Sequence, residues 1–244
     1  MANPYSKWEK AKLLYENEKT KVYSPEVRKF SKKELRIMLN KYGVVYVKPI
    51  FGGGGSGVIK VSKVKKRDTI YQFHYRKVIR AFTTFAALFK ALQRQKLDKP
   101  YMIQKGIHLM RYGKRPSDIR VMMQKSNKKW ELTGVACRVA RPKKIITNAC
   151  KGSTVMSFHT LMKNVRSEKQ IRALSKKIYD LSMQSAHILG HKYPALKEIG
   201  IDLGLDTTFK PWIIETNAKP RIQIFYKLND KRMLRHILRK RREK

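Results

Sequence analysis

The sequence predicts an α+β protein with one sizeable core, or one domain of two lobes. Three observations carry that expectation. Helical and strand-like segments alternate irregularly, without the strand–helix–strand rhythm of a parallel sheet. The glycine run Gly52-Gly53-Gly54-Gly55-Ser56-Gly57 lies between two β-branched segments, the pattern of a hairpin tip. Near the end, Ile199–Leu205 and Trp212–Asn217 read as a second strand pair.

Residues 1–35 are polar and basic, with a short helix expected around Trp8–Tyr15. Ser31 is a candidate N-cap and Glu34 follows three residues on, a capping box. The helix it opens runs to about Tyr42 and stops at Gly43. Val44–Val47 is a strand, and a second runs from Val58 to Val64 after the glycine loop. Tyr71–Tyr75 suggests a third. Phe82, Phe85, Ala86, Phe89 and Leu92 recur at helical spacing, so Phe82–Gln93 is expected to be a helix with those residues in the core. Tyr101–Gln104, Ile119–Gln124 and Glu131–Val139 read as strands, the last two joined by the turn Lys125-Ser126-Asn127-Lys128-Lys129. Arg141–Met156 has no period and is expected to be a long loop. Glu168–Leu189 is helical, with Ile171, Leu174, Ile178, Leu181 and Ile188 on one face.

Composition narrows the function classes. The chain has 244 residues, 42% of them hydrophobic. No run approaches the ~18 apolar residues of a membrane span. Met1-Ala2-Asn3-Pro4 opens no secretory stretch, so a cytoplasmic protein is expected. Cys137 and Cys150 have no metal-ligand spacing and are read as reduced thiols, and the six histidines show no metal spacing either. Lys and Arg number 57 against 17 Asp and Glu, a net charge of +40. Such a field attracts polyanions. It fits a very soluble surface, an acidic partner, anionic substrates or nucleic acid. No nucleic-acid motif accompanies it, so charge alone supports only non-specific binding. The basic residues are spread along the chain except for a cluster at 235–244, which looks separable from the rest.

Three groups of residues carry chemistry. Gly52, Gly54 and Gly57 match G-x-G-x-x-G, but a strand-like run follows where a dinucleotide fingerprint needs a helix. No Lys-Ser/Thr follows for a Walker loop. What remains is a hairpin tip, either a plain flexible turn or a cradle of unhindered N–H groups for anionic oxygens, with Lys48 at its mouth. Next, Glu215 and Asn217 share a strand face. A turn centred near Thr208–Phe209 puts Asp202 opposite Glu215. Facing carboxylates repel unless protonated or bridged by a cation. The set Asp202, Glu215 and Asn217 offers the all-oxygen donors that suit Mg²⁺, while neutralisation of surface carboxylates by nearby lysines is the alternative. Third, Arg120 and Arg138 lie within otherwise apolar strands and need anionic partners. A salt bridge to Asp118 or Glu131 satisfies one, and a phosphate satisfies both.

Taken together, these residues resemble an ATP-grasp enzyme, and more closely the YheC/YheD family of endospore coat-associated proteins. The resemblance runs through Ser6-Lys7-Trp8-Glu9-Lys10, Pro25-Glu26, Tyr46–Gly52, Ile103–Ile107, Arg115–Val121, Thr133–Ala140, Thr147-Asn148, Gly200-Ile201-Asp202 and Glu215–Pro220. It implies an ATP-grasp fold, two α+β lobes with an ATP cleft between antiparallel sheets. The expected divisions are a basic segment at 1–30 and an ATP-grasp domain at 31–244, with lobes at about 31–100 and 101–235 and the basic tail at 235–244.

The resemblance also implies roles. Lys48 contacts phosphate, and Gly52, Gly53, Gly54, Gly55, Ser56 and Gly57 close over it. Gln104, Lys105, Gly106 and Ile107 form the adenine hinge. Asp202, Glu215 and Asn217 bind one or two Mg²⁺. Arg120 and Arg138 stabilise the transferred phosphoryl group, and Asn148 and Lys151 lie near the acceptor. Departures are a loop that is nearly all glycine, Pro25-Glu26-Val27 for Pro-Glu-Thr, and Lys151-Gly152-Ser153 where a basic residue and two glycines are usual. The family's second phosphate-binding lysine has no clear counterpart, Arg28 and Lys29 lying only nearby. The N-terminal domain that usually precedes this region is lacking, so a protein partner supplying it is one expectation.

The implied activity is a carboxylate–amine ligase that consumes ATP through an acyl phosphate. Its acceptor is an amino acid or peptide, with an acidic one suggested by the charge. The competing expectation is a non-catalytic, nucleotide-binding, spore-associated component held in an assembly by its charge.

Overall fold

A computed structural model of the chain describes residues 3–65, 69–140 and 153–243. It divides into two compact units, one of residues 25–107 and one of residues 3–24 with 108–243. The chain opens in the latter with helix α1, Lys7–Glu16, capped by the Ser6 hydroxyl, which accepts from the Glu9 N–H at 3.2 Å.

Residues 25–107 form the first unit's sheet and its helices. The elements are β1 (Val27–Lys29), α2 (Lys32–Tyr42), β2 (Val44–Pro49), β3 (Ile59–Lys65), β4 (Thr69–Tyr75), β5 (Val78–Phe82), α3 (Phe85–Gln95) and β6 (Tyr101–Lys105). The sheet order is β1-β6-β2-β3-β4-β5, antiparallel throughout. Ser31 caps α2 as its sequence predicts, and Gly43 ends it at φ 67°. The helix expected from Phe82 starts later. Val78-Ile79-Arg80-Ala81-Phe82 pairs with β4, so Phe82 is a strand residue. Phe85, Leu88 and Leu92 are the buried face of α3, while Ala86 is exposed. They meet Leu35, Met38 and Leu39 of α2 and the inward residues Val45, Val47, Ile59, Val61, Phe73 and Ile103 in one apolar cluster.

The second unit continues with β7 (Arg111–Tyr112), β8 (Arg115–Ser126), β9 (Lys129–Val139), β10 (Thr154–Met156), α4 (Phe158–Met162), α5 (Glu168–Lys192), β11 (Glu198–Leu205), β12 (Pro211–Asn217), α6 (Gln223–Tyr226) and α7 (Arg232–Arg242). Its sheet runs β10-β9-β8-β11-β12, with β7 beside β8. The β8–β9 turn is the two residues Asn127 and Lys128, both at positive φ, so the strands extend further than the turn predicted from sequence. Within the stretch expected to be loop, Thr154–Met156 is a strand, while residues 141–152 lie outside the described residues.

Alternation sends β-sheet residues to two faces. Val121, Met123, Ile199, Ile201 and Leu203 pack against Ile171, Ile178, Leu181 and Leu189 of α5. Met122 and Ala136 pack on the other side against Phe225, Leu234 and Ile237. The basic C-terminal cluster is therefore a packed amphipathic helix, not a separable tail. Ile237 is fully buried, its carbonyl accepts from Gln124 at 3.3 Å, and Arg241 forks onto Glu198 at 2.8 and 3.0 Å.

Candidate functional site

In the first unit, β2 turns Tyr46 and Lys48 to the same face, and β6 sets Gln104 opposite Tyr46. Lys48 is 8% exposed, and its Nζ donates to Gln104 Oε1 at 2.5 Å. Beyond Lys48 the loop takes positive φ at Gly52, Gly54, Gly55 and Gly57. A Cβ on Gly52, Gly53 or Gly54 would meet nothing within 4 Å, so the backbone at the tip is open. The base is not. A Cβ on Gly57, at φ +77°, would sit 2.7 Å from Pro49 Cγ and 2.8 Å from the Tyr101 hydroxyl. The loop is thus anchored at Gly57 and unhindered above it, the geometry that lets N–H groups approach phosphate oxygens.

The residues expected as a hinge follow β6. The Lys105 N–H donates to the Glu26 carbonyl and the Gly106 N–H to the Val44 carbonyl, both at 2.9 Å. The Glu26 side chain fixes this corner. Burial alone would raise its pKa, but donors from Lys41 at 2.8 Å, Tyr42 at 2.5 Å and Arg28 at 2.9 Å outweigh it and hold the group down to about 2.

In the second unit, the antiparallel registers Asp118↔Arg138, Asp202↔Arg120 and Asp202↔Glu215 gather the charged residues on one sheet face. Arg120 grips Asp202 through Nε at 2.6 Å and Nη2 at 2.9 Å. Arg138 grips Asp118 at 2.7 and 2.5 Å and reaches Asp202 at 2.8 Å. All four are nearly inaccessible, with exposures from 2% to 7%. Burial disfavours the Asp202 carboxylate, yet Arg120 and Arg138 hold its pKa below the ordinary value. The same pairing, with Asp202 and Asp118, raises Arg138 against the effect of its own burial. Gly200 makes room for this. A Cβ there would lie 2.7 Å from Pro220 Cβ and 3.1 Å from Arg120 Nη1.

Asn217 donates to Asp202 Oδ2 at 3.3 Å, and Glu215 meets the ammonium of Lys7 at 3.5 Å. Lys7 was not singled out from sequence. It lies in the motif Ser6-Lys7-Trp8-Glu9-Lys10 that carries the family resemblance, but the pairing spans the chain from α1 to β12, so the motif alone gives it no role. Lys10 is buried beside it. Burial lowers the Lys10 pKa to about 8, with Glu215 opposing and Lys7 assisting.

The structure therefore brings Asp202, Glu215, Asn217, Arg120 and Arg138 together, seats Asp118, one of the two acids the sequence offered, on Arg138, and adds Lys7. The facing carboxylates Asp202 and Glu215 are neutralised by guanidinium and ammonium groups. Glu131, the other acid considered for the arginines, pairs instead with His236 and Lys240. Asn148, Lys151 and Cys150 lie outside the described residues. Cys137 is buried, and burial pushes its thiol pKa up, so it is inert. Among the described residues no cluster of three His, Cys, Asp or Glu could hold a metal, so any cation here relies on two carboxylates and the Asn217 amide. Those are hard oxygen donors of the kind Mg²⁺ takes, but each Asp202 oxygen already accepts two hydrogen bonds, so a cation there would displace one of those donors.

Two antiparallel sheets, a glycine loop following a buried lysine and a strand pair carrying Asp202, Glu215 and Asn217 are the arrangement expected of an ATP-grasp protein. The chain belongs to the YheC/D-like ATP-grasp family, whose model matches residues 3–242. It is similar to the endospore coat-associated protein YheD of Bacillus subtilis, at 26% identity over 91% of this chain and 49% of that one. It is also similar to YheC of the same organism, at 27% identity over 88% and 59%. The chain thus spans about half to three-fifths of these relatives. Among solved structures it resembles the ATP-grasp ligase PsnB complexed with a phosphomimetic variant of its minimal precursor, Mg and ADP. That match has a TM-score of 0.56 at 13% identity and covers 99% of this chain and 59% of that one.

Proposed function

We propose that the chain is a magnesium-requiring, ATP-dependent ligase of the carboxylate–amine type, releasing ADP and phosphate. One observation carries it: the buried Asp202, opposite Glu215 and beside Asn217, is gripped by two arginines on the same face. An ion-pair cluster of this depth costs folding free energy to build and is retained where charge must be managed.

Each residue then has a task. Lys48 supplies a point charge to the nucleotide phosphates, and the open N–H groups from Gly52 to Ser56 wrap them. The N–H groups of Lys105 and Gly106 are spent on carbonyls, so Ile107 offers the N–H that reads adenine, with Gln104 alongside. Asp202, Glu215 and Asn217 hold the metal. Bound Mg²⁺ would draw charge from the phosphoryl oxygens. Arg120 and Arg138 orient the carboxylates and present positive charge where the phosphoryl group is transferred. Lys7 holds Glu215 through its ammonium, at 3.5 Å, and so positions that carboxylate. Asn148 and Lys151 are assigned to the acceptor by family resemblance. The carboxylate acceptor is activated as an acyl phosphate and captured by an amine, with acidic peptides or amino acids the candidates given the charge.

Localisation follows the relatives in this proposal: cytoplasmic synthesis with spore association. Their coat-associated names favour a second reading, a nucleotide-binding component without turnover. ADP release by the purified protein, measured against a panel of acidic peptides and amino acids, tests the proposal. Acceptor-dependent ADP is expected. Nucleotide binding with no turnover for any acceptor supports the second reading.

A further inference from the structure

We propose that the outer edge of the first sheet is a docking strip for an extended acidic peptide, which adds to β5 as a further strand. β5 is the last strand in the sheet order. Val78, Ile79, Arg80 and Ala81 are all exposed, Val78 to 47% and Ile79 to 56%. In an antiparallel ladder alternate residues of such a strand turn their N–H and C=O groups away from the neighbour, a row ready to pair with another chain. Proteins usually blunt such edges by shortening, bulging or covering them. Here the strand is five residues long and pairs in regular register with β4.

The chemistry beside the edge identifies the occupant. Arg80 and Phe82 share a strand face, and α3 sets Lys90, Ala91 and Arg94 across from them, forming a shallow groove with no carboxylate in its lining. Among the described residues, the side chains of Arg80, Lys90 and Arg94 make no ion pair or hydrogen bond, although the chain's other cations often do. Three uncompensated cations along a strand edge select carboxylates, and the two-residue period of a paired strand would bring every second side chain over the groove. The intervening side chains would lie with Ile79 and Ala81, which are apolar. The fitting segment is therefore an extended peptide alternating acidic and apolar residues. A second copy of β5 is disfavoured, because pairing two such strands would set cation against cation. Nucleic acid satisfies the charges but has no backbone that pairs with a strand.

The inference concerns binding, so it stands apart from the ligase reading and survives a failure of turnover. The test is fluorescence anisotropy at low salt with the full chain. The probe is a labelled ten-residue peptide alternating glutamate and valine. It should bind the wild type. The variant Arg80→Glu/Lys90→Glu/Arg94→Glu should bind it about tenfold more weakly or worse, with an unchanged melting temperature. A peptide of the same sequence, N-methylated at alternate residues so that it cannot pair as a strand, should lose affinity equally; that arm uses unaltered protein. Equal binding of the methylated peptide would reduce the effect to net charge and overturn the assignment. So would undiminished binding to the triple variant, a DNA duplex that alone loses affinity for that variant, or a wild-type dimer in light scattering that the variant dissolves.

Discussion

Replacing Arg138 by methionine tests the electrostatic core of the second unit. Arg138 is 5% exposed and its guanidinium serves two carboxylates, Asp118 at 2.5–2.7 Å and Asp202 at 2.8 Å. Within this group two arginines face two aspartates, so charge is balanced. Methionine restores most of the volume and none of the charge, leaving one excess carboxylate in a dry site. Breaking a buried pair by removing one partner costs about 3–5 kcal/mol. At ~2–4 °C per kcal/mol for a chain of this size, the melting temperature should fall by roughly 6–20 °C. The double variant Arg138→Met/Asp118→Asn restores the balance and should recover about 1–3 kcal/mol of that loss. The effect is pH-dependent. The Asp202 pKa is depressed in the folded state, so its contribution is present above the unfolded value and lost as pH falls through the folded one. The stability gap between wild type and Arg138→Met should thus narrow in acid. Urea titrations at neutral and acidic pH measure all of this. A single variant within about 1 kcal/mol of wild type, or a double variant as costly as the sum of its parts, refutes the charge-balance reasoning.

Other outcomes follow from the same geometry. Lys48→Ala should weaken ATP binding while leaving adenosine binding nearly unchanged, since the proposal assigns Lys48 to the phosphates; an equal loss for both ligands would make its role structural. Gly57→Ala should destabilise the protein by about 1–3 kcal/mol, because the new Cβ meets Pro49 and Tyr101 at a positive φ, whereas Gly53→Ala, in open space, should cost under about 0.5 kcal/mol. The Lys10 pKa of about 8 lies below its ordinary 10.5, so the unfolded chain binds more protons between those values. Wild type should therefore gain stability relative to Lys10→Met as pH rises from about 8 to 10, and a flat difference would place the Lys10 ammonium in water.

Much of this was legible in the sequence where local chemistry decides. The turn around Thr208–Phe209 fixed Asp202 opposite Glu215, and the structure pairs those residues. Asp206 explains why: its carboxylate accepts from the Thr208 and Lys210 N–H groups and from Trp212 Nε1, closing the hairpin at one length. Ser31 and Gly43 likewise bounded α2 through caps. β5 was missed because Phe82 falls into helical spacing with Phe85 and Phe89, and that longer period masked the short β-branched run before it. The tail was read from its charges alone, while Leu234 and Ile237, set three apart, were the residues that bury it. Lys7 was out of reach, because nothing local reveals that α1 will lie against β12. For the arginines, the sequence offers Asp118 as one of two partners, and Arg138 takes it, but nothing in the sequence points to Asp202 as the acid that meets both.

The most direct test is calorimetry of magnesium and nucleotide binding to wild type and Glu215→Ala. The carboxylates Asp118, Asp202 and Glu215 are already matched by Arg120, Arg138 and Lys7, with Lys10 also beside Glu215, so the cluster has no net negative charge left for a cation. A divalent cation alone would unbalance it, whereas one arriving with phosphates brings its own counter-charge. Magnesium by itself should give little heat, and ATP with magnesium should bind the wild type and lose about tenfold or more in Glu215→Ala. Wild-type affinity for ATP with magnesium in Glu215→Ala would contradict the metal assignment and, with it, the proposed phosphoryl-transfer site.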